Sequence, residues 1–327
     1  MRILVTGSAG HLGEGLMRTL RGRGQDAIGI DLSPSSYTDF VGSIADRDFV
    51  DRHMQGIGAV LHSATLHKPH VATHTRQDFV DTNITGTLNL LEAAKRNGVS
   101  AFVFTSTTSL YGDALVPPPG APSAWITEDV VPVPKNIYGA TKIAAEDLCQ
   151  LFHRNERLPC VVLRASRFFP EVDDRRHVRE NFPDANIKAN EFLYRRAELQ
   201  DVVDAHLCAM ERAAEIGFGR FIVSATTPFG PEDLRQLHDD APAVVARHFP
   251  GYETEYARRG WRMFAGIERV YVNAAARQAL GWKPNYDFAR ILECLRTGEE
   301  MRSPLAIEVG AKGYHEQSFE DGPYPVE

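Results

Sequence analysis

Tyr138 and Lys142, in Tyr138-Gly139-Ala140-Thr141-Lys142, are the pair in this chain best suited to moving a proton. At i and i+4 they share one face of a helix. A free phenol, with a pKa of about 10, is too reluctant a base near neutrality. An ammonium beside it favours the phenolate, and Tyr138 could then take a proton from a substrate hydroxyl. Upstream lies a cluster of hydroxyls, Thr105-Ser106-Thr107-Thr108-Ser109, just before Tyr111-Gly112. It follows the apolar run Ala101–Phe104, so the hydroxyls fall at the end of a strand. A Tyr-x-x-x-Lys alone is common surface decoration. It gains meaning only if an electron acceptor is held nearby.

The first thirteen residues provide for one. Ile3-Leu4-Val5 is a strand-like run, Gly7, Gly10 and Gly13 follow, and Leu12, Leu16 and Leu20 then recur at a spacing of four. Strand, glycine-rich turn and helix is the layout of a dinucleotide-binding βαβ unit. Gly7 permits the tight turn, Gly10 lets a pyrophosphate approach the backbone, and Gly13 lets the helix lie close on the sheet. The first helical N–H groups and the helix dipole face the phosphates; a tight turn without a ligand is the bland alternative. A second strand, Ala27–Asp31, ends in a carboxylate placed to accept hydrogen bonds from the adenosine ribose. Asp31 would repel a 2′-phosphate, so NAD is expected rather than NADP; a strand-end Asp that only caps a turn is the competing role.

The frame that must position these residues reads as α/β. Further strands are expected at Ala59–Thr65, Ala101–Phe104, Pro159–Arg164, Phe221–Ser224 and Val270–Asn273. Helices are expected at Phe79–Asn97, from Tyr138 through Phe152, at Asp201–Arg212, in segments of Leu234–Phe249, and at Phe288–Leu295. The pattern predicts a doubly wound parallel sheet (Rossmann) with a small, reduced C-terminal substrate lobe. Residues 1–165 form the dinucleotide-binding domain, completed by about 201–225 and 268–280. Residues 166–200 and 226–327 form the smaller lobe and the tail. The proline-rich stretch 113–134 is expected to be irregular, at the mouth of the site. The tail from Ser303 is expected to be mostly irregular too.

Composition narrows the class. The 327 residues are 43% hydrophobic, enough for a sizeable core, with a net charge of −7 and no long basic run. Nucleic acid and anionic membrane are therefore poor partners. Cys149, Cys160, Cys208 and Cys294 are scattered and fit no metal or disulfide framework. No apolar run approaches the roughly 18 residues of a membrane span. The chain opens directly into a strand, so a cytoplasmic location is expected. His62, His67, His70 and His74 cluster in sequence but fit no metal-ligand spacing, and no metal is expected. The loop bearing His67 and Lys68 either borders the substrate, meeting a carboxylate, phosphate or sugar hydroxyl, or is simply solvated.

The order of motifs resembles the extended short-chain dehydrogenase/reductase family, the NAD-dependent epimerase/dehydratase type that includes UDP-glucose 4-epimerase-like enzymes. The resemblance rests on Gly7-x-x-Gly10-x-x-Gly13, Asp31, the hydroxyl cluster before Tyr111-Gly112, Tyr138-x-x-x-Lys142 and the closing Leu280-Gly281-Trp282-Lys283-Pro284. It implies that Thr107 is the catalytic hydroxyl, with Ser106 second, that Tyr138 is the base and that Lys142 also holds the nicotinamide ribose. It implies a cofactor-binding set of Gly7, Gly10, His11, Leu12, Gly13, Asp31, Ser43, Ile44, Ser63, Ala64, Thr65, Asn83, Thr105, Tyr138, Lys142 and Ser166. His67, Lys68, Thr108 and Arg167 would meet the substrate. Helices near 79–97 and 138–154 resemble the pair that joins family members into homodimers.

Two departures bear on the substrate. Ser43 replaces the family's adenine-binding Asp. Arg167 stands where members usually carry Asn, and only about thirty residues, many of them charged, separate Arg164 from Arg195-Arg196, too few for the usual nucleotide-sugar segment. A small substrate (a sugar, sugar acid or polyol) is therefore expected, with Arg167 and Arg175 available to an anion. The expected activity is NAD-dependent oxidation of a sugar hydroxyl, with hydride passing to the nicotinamide as Tyr138 removes the proton. A nucleotide-sugar epimerase with a transient ketone, or a non-catalytic NAD-binding sensor, are the alternatives.

Overall fold

Alternate residues of the central strands enter opposite core layers. Ile3, Val5, Leu61, Val103 and Leu163 lie on one side; Leu4, Val60, Phe102, Phe104 and Val162 lie on the other. Strands buried on both faces have no polar side, which is why they read as unbroken apolar runs. The computed structural model describes residues 1–313 together with His315 and Phe319. Its strands are β1 (Arg2–Thr6), β2 (Ala27–Asp31), β3 (Phe40–Val41), β4 (Ile57–His62), β5 (Ala101–Thr107), β6 (Ala124–Ile126), β7 (Cys160–Ala165), β8 (Phe218–Val223) and β9 (Arg269–Tyr271). Seven form one parallel sheet in the order β3-β2-β1-β4-β5-β7-β8. The sequence expectation of a doubly wound parallel sheet holds. Between β1 and β4 the strand order reverses, and the crevice at their C-terminal ends is where such sheets bind ligands.

Helices His11–Gly22 and Leu199–Ile216 cover one face; Arg47–His53, Gly86–Arg96 and Ile137–Glu156 cover the other. The Leu-Gly-Trp-Lys-Pro signature works as a clasp. Trp282 is buried and its indole N–H donates to the Asp201 carbonyl at 2.9 Å. The Asp201 carboxylate accepts from the Asn285 and Tyr286 amides at 2.8 and 2.9 Å. A separate core, with Phe192, Leu237, Val244, Tyr256, Phe288 and Ile291, sits under the C-terminal lobe.

Four stretches differ from expectation. The Phe79–Asn97 helix begins earlier, at Arg76, and contains a π-helical turn at Val80–Thr85. Stretch 113–134 is not wholly irregular, since β6 pairs in parallel with β9 in a two-stranded sheet apart from the main one. The charged insert after Arg164 carries helices Arg176–Asn181 and Asp184–Glu191. The tail, expected to be mostly irregular from Ser303, first forms helix Pro304–Val309, capped by the Ser303 side chain. Leu305 and Val309 bury against the first core layer. The two apolar residues are spaced by four, a signal confined to one short stretch. Among the described residues no helix is long and apolar enough to cross a membrane.

Candidate active site

A cleft of about 880 Å³ runs along the C-terminal edge of the sheet, from the glycine turn to the small lobe. At its first end Gly7 adopts φ +73°, a left-handed conformation that favours glycine. Any Cβ on Gly13 would stand 1.8 Å from the Gly7 carbonyl oxygen, so the helix packs on the turn only because that atom is missing. The Asp31 carboxylate locks the corner, accepting from the Ala9 and Ser33 amides at 3.0 and 2.9 Å. Ser43 lines the cleft beside Gly42 and Ile44, its hydroxyl accepting from the Ala45 amide at 3.1 Å.

The middle of the cleft is held by buried polar groups whose roles follow from their partners. Thr87 donates to the Asn83 carbonyl at 2.7 Å, so it must accept from His62 Nε2 at 3.0 Å. His62 Nδ1 then accepts from the Thr6 hydroxyl at 2.7 Å, and Thr6 accepts from the Ala64 amide at 3.1 Å. Burial holds His62 well below its ordinary pKa, so this chain keeps one tautomer and fixes the end of β4. Asn83 does not line the cleft. Its amide is spent on Thr65, Leu66 and Thr141 at 2.9 to 3.0 Å, which makes it a positioning residue for the Thr65–Leu66 backbone.

The hydroxyl cluster sorts itself by partner. Thr107 lines the cleft beside Tyr138 and accepts from the Ser109 amide at 3.0 Å. Ser106 instead donates backward to Glu146 at 2.6 Å. Thr105 donates to His206 Nε2 at 2.8 Å, because His206 Nδ1 is committed to the Val202 carbonyl. Burial also pushes the His206 pKa down to about 4. Of the sequence's two candidate hydroxyls, Thr107 is the one beside Tyr138.

The Tyr138–Lys142 pair departs from expectation. Burial pushes the Tyr138 phenol up to about 12, against the hydrogen bond from Thr107, rather than down. Lys142 is 2% exposed, donates to the Thr105 carbonyl at 2.6 Å and lies 4.0 Å from the Phe104 ring centre. It stands behind the cleft lining, and burial pushes its own pKa down to about 7, opposed by Glu146. The ammonium is aimed at a carbonyl, so it does little to stabilise a phenolate in this arrangement.

The far wall is a packed charge network. Buried Glu191 accepts from Arg195 at 2.6 and 3.0 Å, from Arg196 at 3.3 Å and from Arg167 at 3.5 Å. Burial pushes its carboxyl up, but Arg195, Arg167 and Arg196 outweigh it and hold it at about 2. Asp173 pairs with Arg167 at 2.8 Å, and Lys68 pairs with Asp174. Arg167 and Lys68 do line the cleft, as do His67 and Thr108, but the two cations are already matched by carboxylates. Arg175, the other expected anion binder, has its Nε 3.7 Å from Asp173.

Residues not foreseen also line the cleft: Ser35 near Asp31, Lys135, Arg269 and Tyr271, and Lys312-Gly313 from the tail. Arg269 and Tyr271 lie a few residues before the Leu-Gly-Trp-Lys-Pro signature, a signal that could have been followed; Lys312 carried none. Among the described residues no group of three or more His, Cys, Asp or Glu is arranged to hold a metal ion.

Comparison with known proteins places this geometry. Residues 3–223 match the NAD dependent epimerase/dehydratase family. The chain is 30% identical over 326 residues to a UDP-glucose 4-epimerase of Rhizobium meliloti (strain 1021), covering 89% of this chain and 94% of that enzyme. It is 35% identical over 186 residues to a dTDP-glucose 4,6-dehydratase of Streptomyces niveus, covering 51% of this chain and 53% of that one. Among solved structures it resembles a short-chain dehydrogenase/reductase superfamily protein from Agrobacterium tumefaciens with bound NAD. That likeness has a TM-score of 0.65 at 26% identity, over 91% of this chain and 96% of the other. The chain belongs to the NAD-dependent epimerase/dehydratase family.

Proposed function

We propose that this protein oxidises a hydroxyl of a sugar or sugar-derived small molecule, with NAD as its two-electron acceptor. The observation that carries the reading is Thr107 and Tyr138 side by side in the lining of the cleft that begins at the glycine turn. The cleft's residues suit the dinucleotide. The Ser166 hydroxyl is buried in its wall with no hydrogen-bond partner, so a ligand group there would relieve an unmet polar atom. The Gly7–Gly13 turn with His11 and Leu12 would hold the pyrophosphate at a helix start. Asp31 would hold the adenosine ribose, with Ser43 and Ile44 beside the base. Ser63, Ala64, Thr65, Thr105 and Ser166 would flank the nicotinamide half.

Substrate chemistry falls to Thr107 and Tyr138, which would share the substrate oxygen whose proton leaves. Tyr138 near 12 is protonated at neutrality. A turn of Lys142 away from the Thr105 carbonyl and toward the phenol would favour the phenolate. Lys142 would then also reach the nicotinamide ribose. A substrate smaller than a nucleotide sugar is supported by the far wall, where Arg167, Arg195 and Glu191 form a self-satisfied block. Homodimerisation through the helices near 79–97 and 138–154 is part of the proposal. It is supported by the outward Ala140, Asp147 and Leu151 and a shallow groove beside Ala144 and Leu148.

A second reading, a nucleotide-sugar 4-epimerase, is favoured by the full-length likeness to the Rhizobium meliloti enzyme. Incubation with NAD and panels of sugars, sugar acids and nucleotide sugars separates the two. Net NADH, read by its absorbance, is the expected result. Isomer interconversion without net NADH would favour the epimerase, and bound NAD with neither outcome would favour a sensor.

A further inference from the structure

Beyond helix Pro304–Val309 the tail turns back over the cleft. Lys312 and Gly313 line it at the glycine-turn end. The Lys312 amide donates to Glu171 at 3.0 Å and lies 3.2 Å from His11 Nε2, and the Gly313 amide donates to Glu171 at 3.3 Å. The Lys312 ammonium pairs with Glu14, in the first turn of the helix that starts at His11. Glu171 itself pairs with His11 at 2.8 Å. Further on, His315 Nε2 meets the Pro69 carbonyl at 2.9 Å, and its ring lies 5.6 Å from that of His70. Lys312 and Gly313 thus lie at the glycine turn, and His315 at the loop bearing His67 and Lys68. Helix Pro304–Val309 fixes where it starts, anchored by Leu305, Val309 and an Arg18–Glu308 ion pair at 3.0 Å.

We propose that Lys312–Gly313, clamped by Glu171 and His11, is a strap that completes the dinucleotide site and limits how fast the dinucleotide leaves. This rests on the proposed role of the glycine turn as the pyrophosphate site. The charges are consistent with it. Glu14 and Glu171 are two carboxylates at the corner where an anionic pyrophosphate would sit, and each would repel it alone. Glu14 is matched by Arg18 at 2.8 Å and by Lys312; Glu171 is matched by His11 and two tail amides. The strap therefore closes the mouth and neutralises the corner with the same contacts. Hydrogen bonds to a charged carboxylate are stronger than those between neutral groups, so losing the set has a measurable kinetic effect.

The test is NADH release, followed by its fluorescence after displacement with excess NAD. The wild-type protein is compared with a chain ending at Gly310, which keeps the last helix, and with Glu171→Ala, which keeps the tail but removes its clamp. Release at least about tenfold faster in both variants, with thermal midpoints near wild type, is expected. Unchanged release in both overturns the strap. A wild-type protein that binds no NADH would instead overturn the reading of the glycine turn. Should the truncation unfold, Glu171→Ala decides alone.

Discussion

The two ends of the cleft are built on opposite principles. The glycine-turn end is made of missing atoms: no Cβ on Gly13, a left-handed Gly7, and a strand end closed by one carboxylate on backbone amides. The far wall is made of excess charge, with Glu191 and Asp173 buried among Arg167, Arg195 and Arg196. Backbone and open donors suit a ligand that the fold always meets in the same way. A wall whose charges are matched internally is rigid, and it selects by shape and by the few groups left over. The cofactor end thus expresses a general solution and the wall a particular one.

Breaking the wall should have the largest effect on stability. Glu191→Ala leaves three guanidinium groups without their shared carboxylate, and removal of one partner from a buried ion cluster costs roughly 3–5 kcal/mol. Denaturant unfolding should register that loss; a change under about 1 kcal/mol would mean that the wall is hydrated rather than sealed. At the other end Gly13→Ala forces a Cβ into the Gly7 carbonyl, and overpacking of this kind costs about 1–3 kcal/mol. Its distinguishing signature is loss of NAD binding in excess of the loss of stability, measured by titration on folded protein. Equal NAD affinity in the variant would show that the turn has room to spare.

The smallest effect sharpens the boundary between the two ends, where Lys142 sits. Burial lowers its pKa to about 7 in the folded chain, against about 10.4 unfolded. Between those values the unfolded state binds the extra proton, so this group's contribution to stability rises with pH across about 7 to 10. The stability of the wild type relative to Lys142→Met should therefore improve across that window. A flat difference would place the ammonium in water.

What the sequence revealed follows the same division. The parallel sheet, the glycine turn, Asp31 and the order of Thr107, Tyr138 and Lys142 were legible because backbone geometry and helical spacing are local constraints. All the expected cofactor residues except Asn83 and Lys142 line the cleft. The far wall was not legible. Lys68 meets Asp174 across 106 positions of chain, and no local pattern says that Arg167 is spent on carboxylates rather than offered to a substrate. The Tyr138 phenol is governed by burial rather than by Lys142 for a related reason. Spacing puts Lys142 on the same helical face, but its last torsions carry the ammonium to Thr105, a choice made by β5. Lys312 reaches the cleft from the opposite end of the chain, with nothing around it in sequence to announce a site.

In the proposed mechanism Tyr138, beside Thr107, moves the substrate proton at a cleft whose other end holds NAD independently. Tyr138→Phe removes one hydroxyl and keeps the ring. Titration of that variant with NAD, beside a turnover assay on the substrate found by the screen, tests both halves together. NAD affinity within about twofold of wild type is expected, with turnover reduced by at least about a hundredfold, as for loss of a general base. Turnover at the wild-type rate would contradict it.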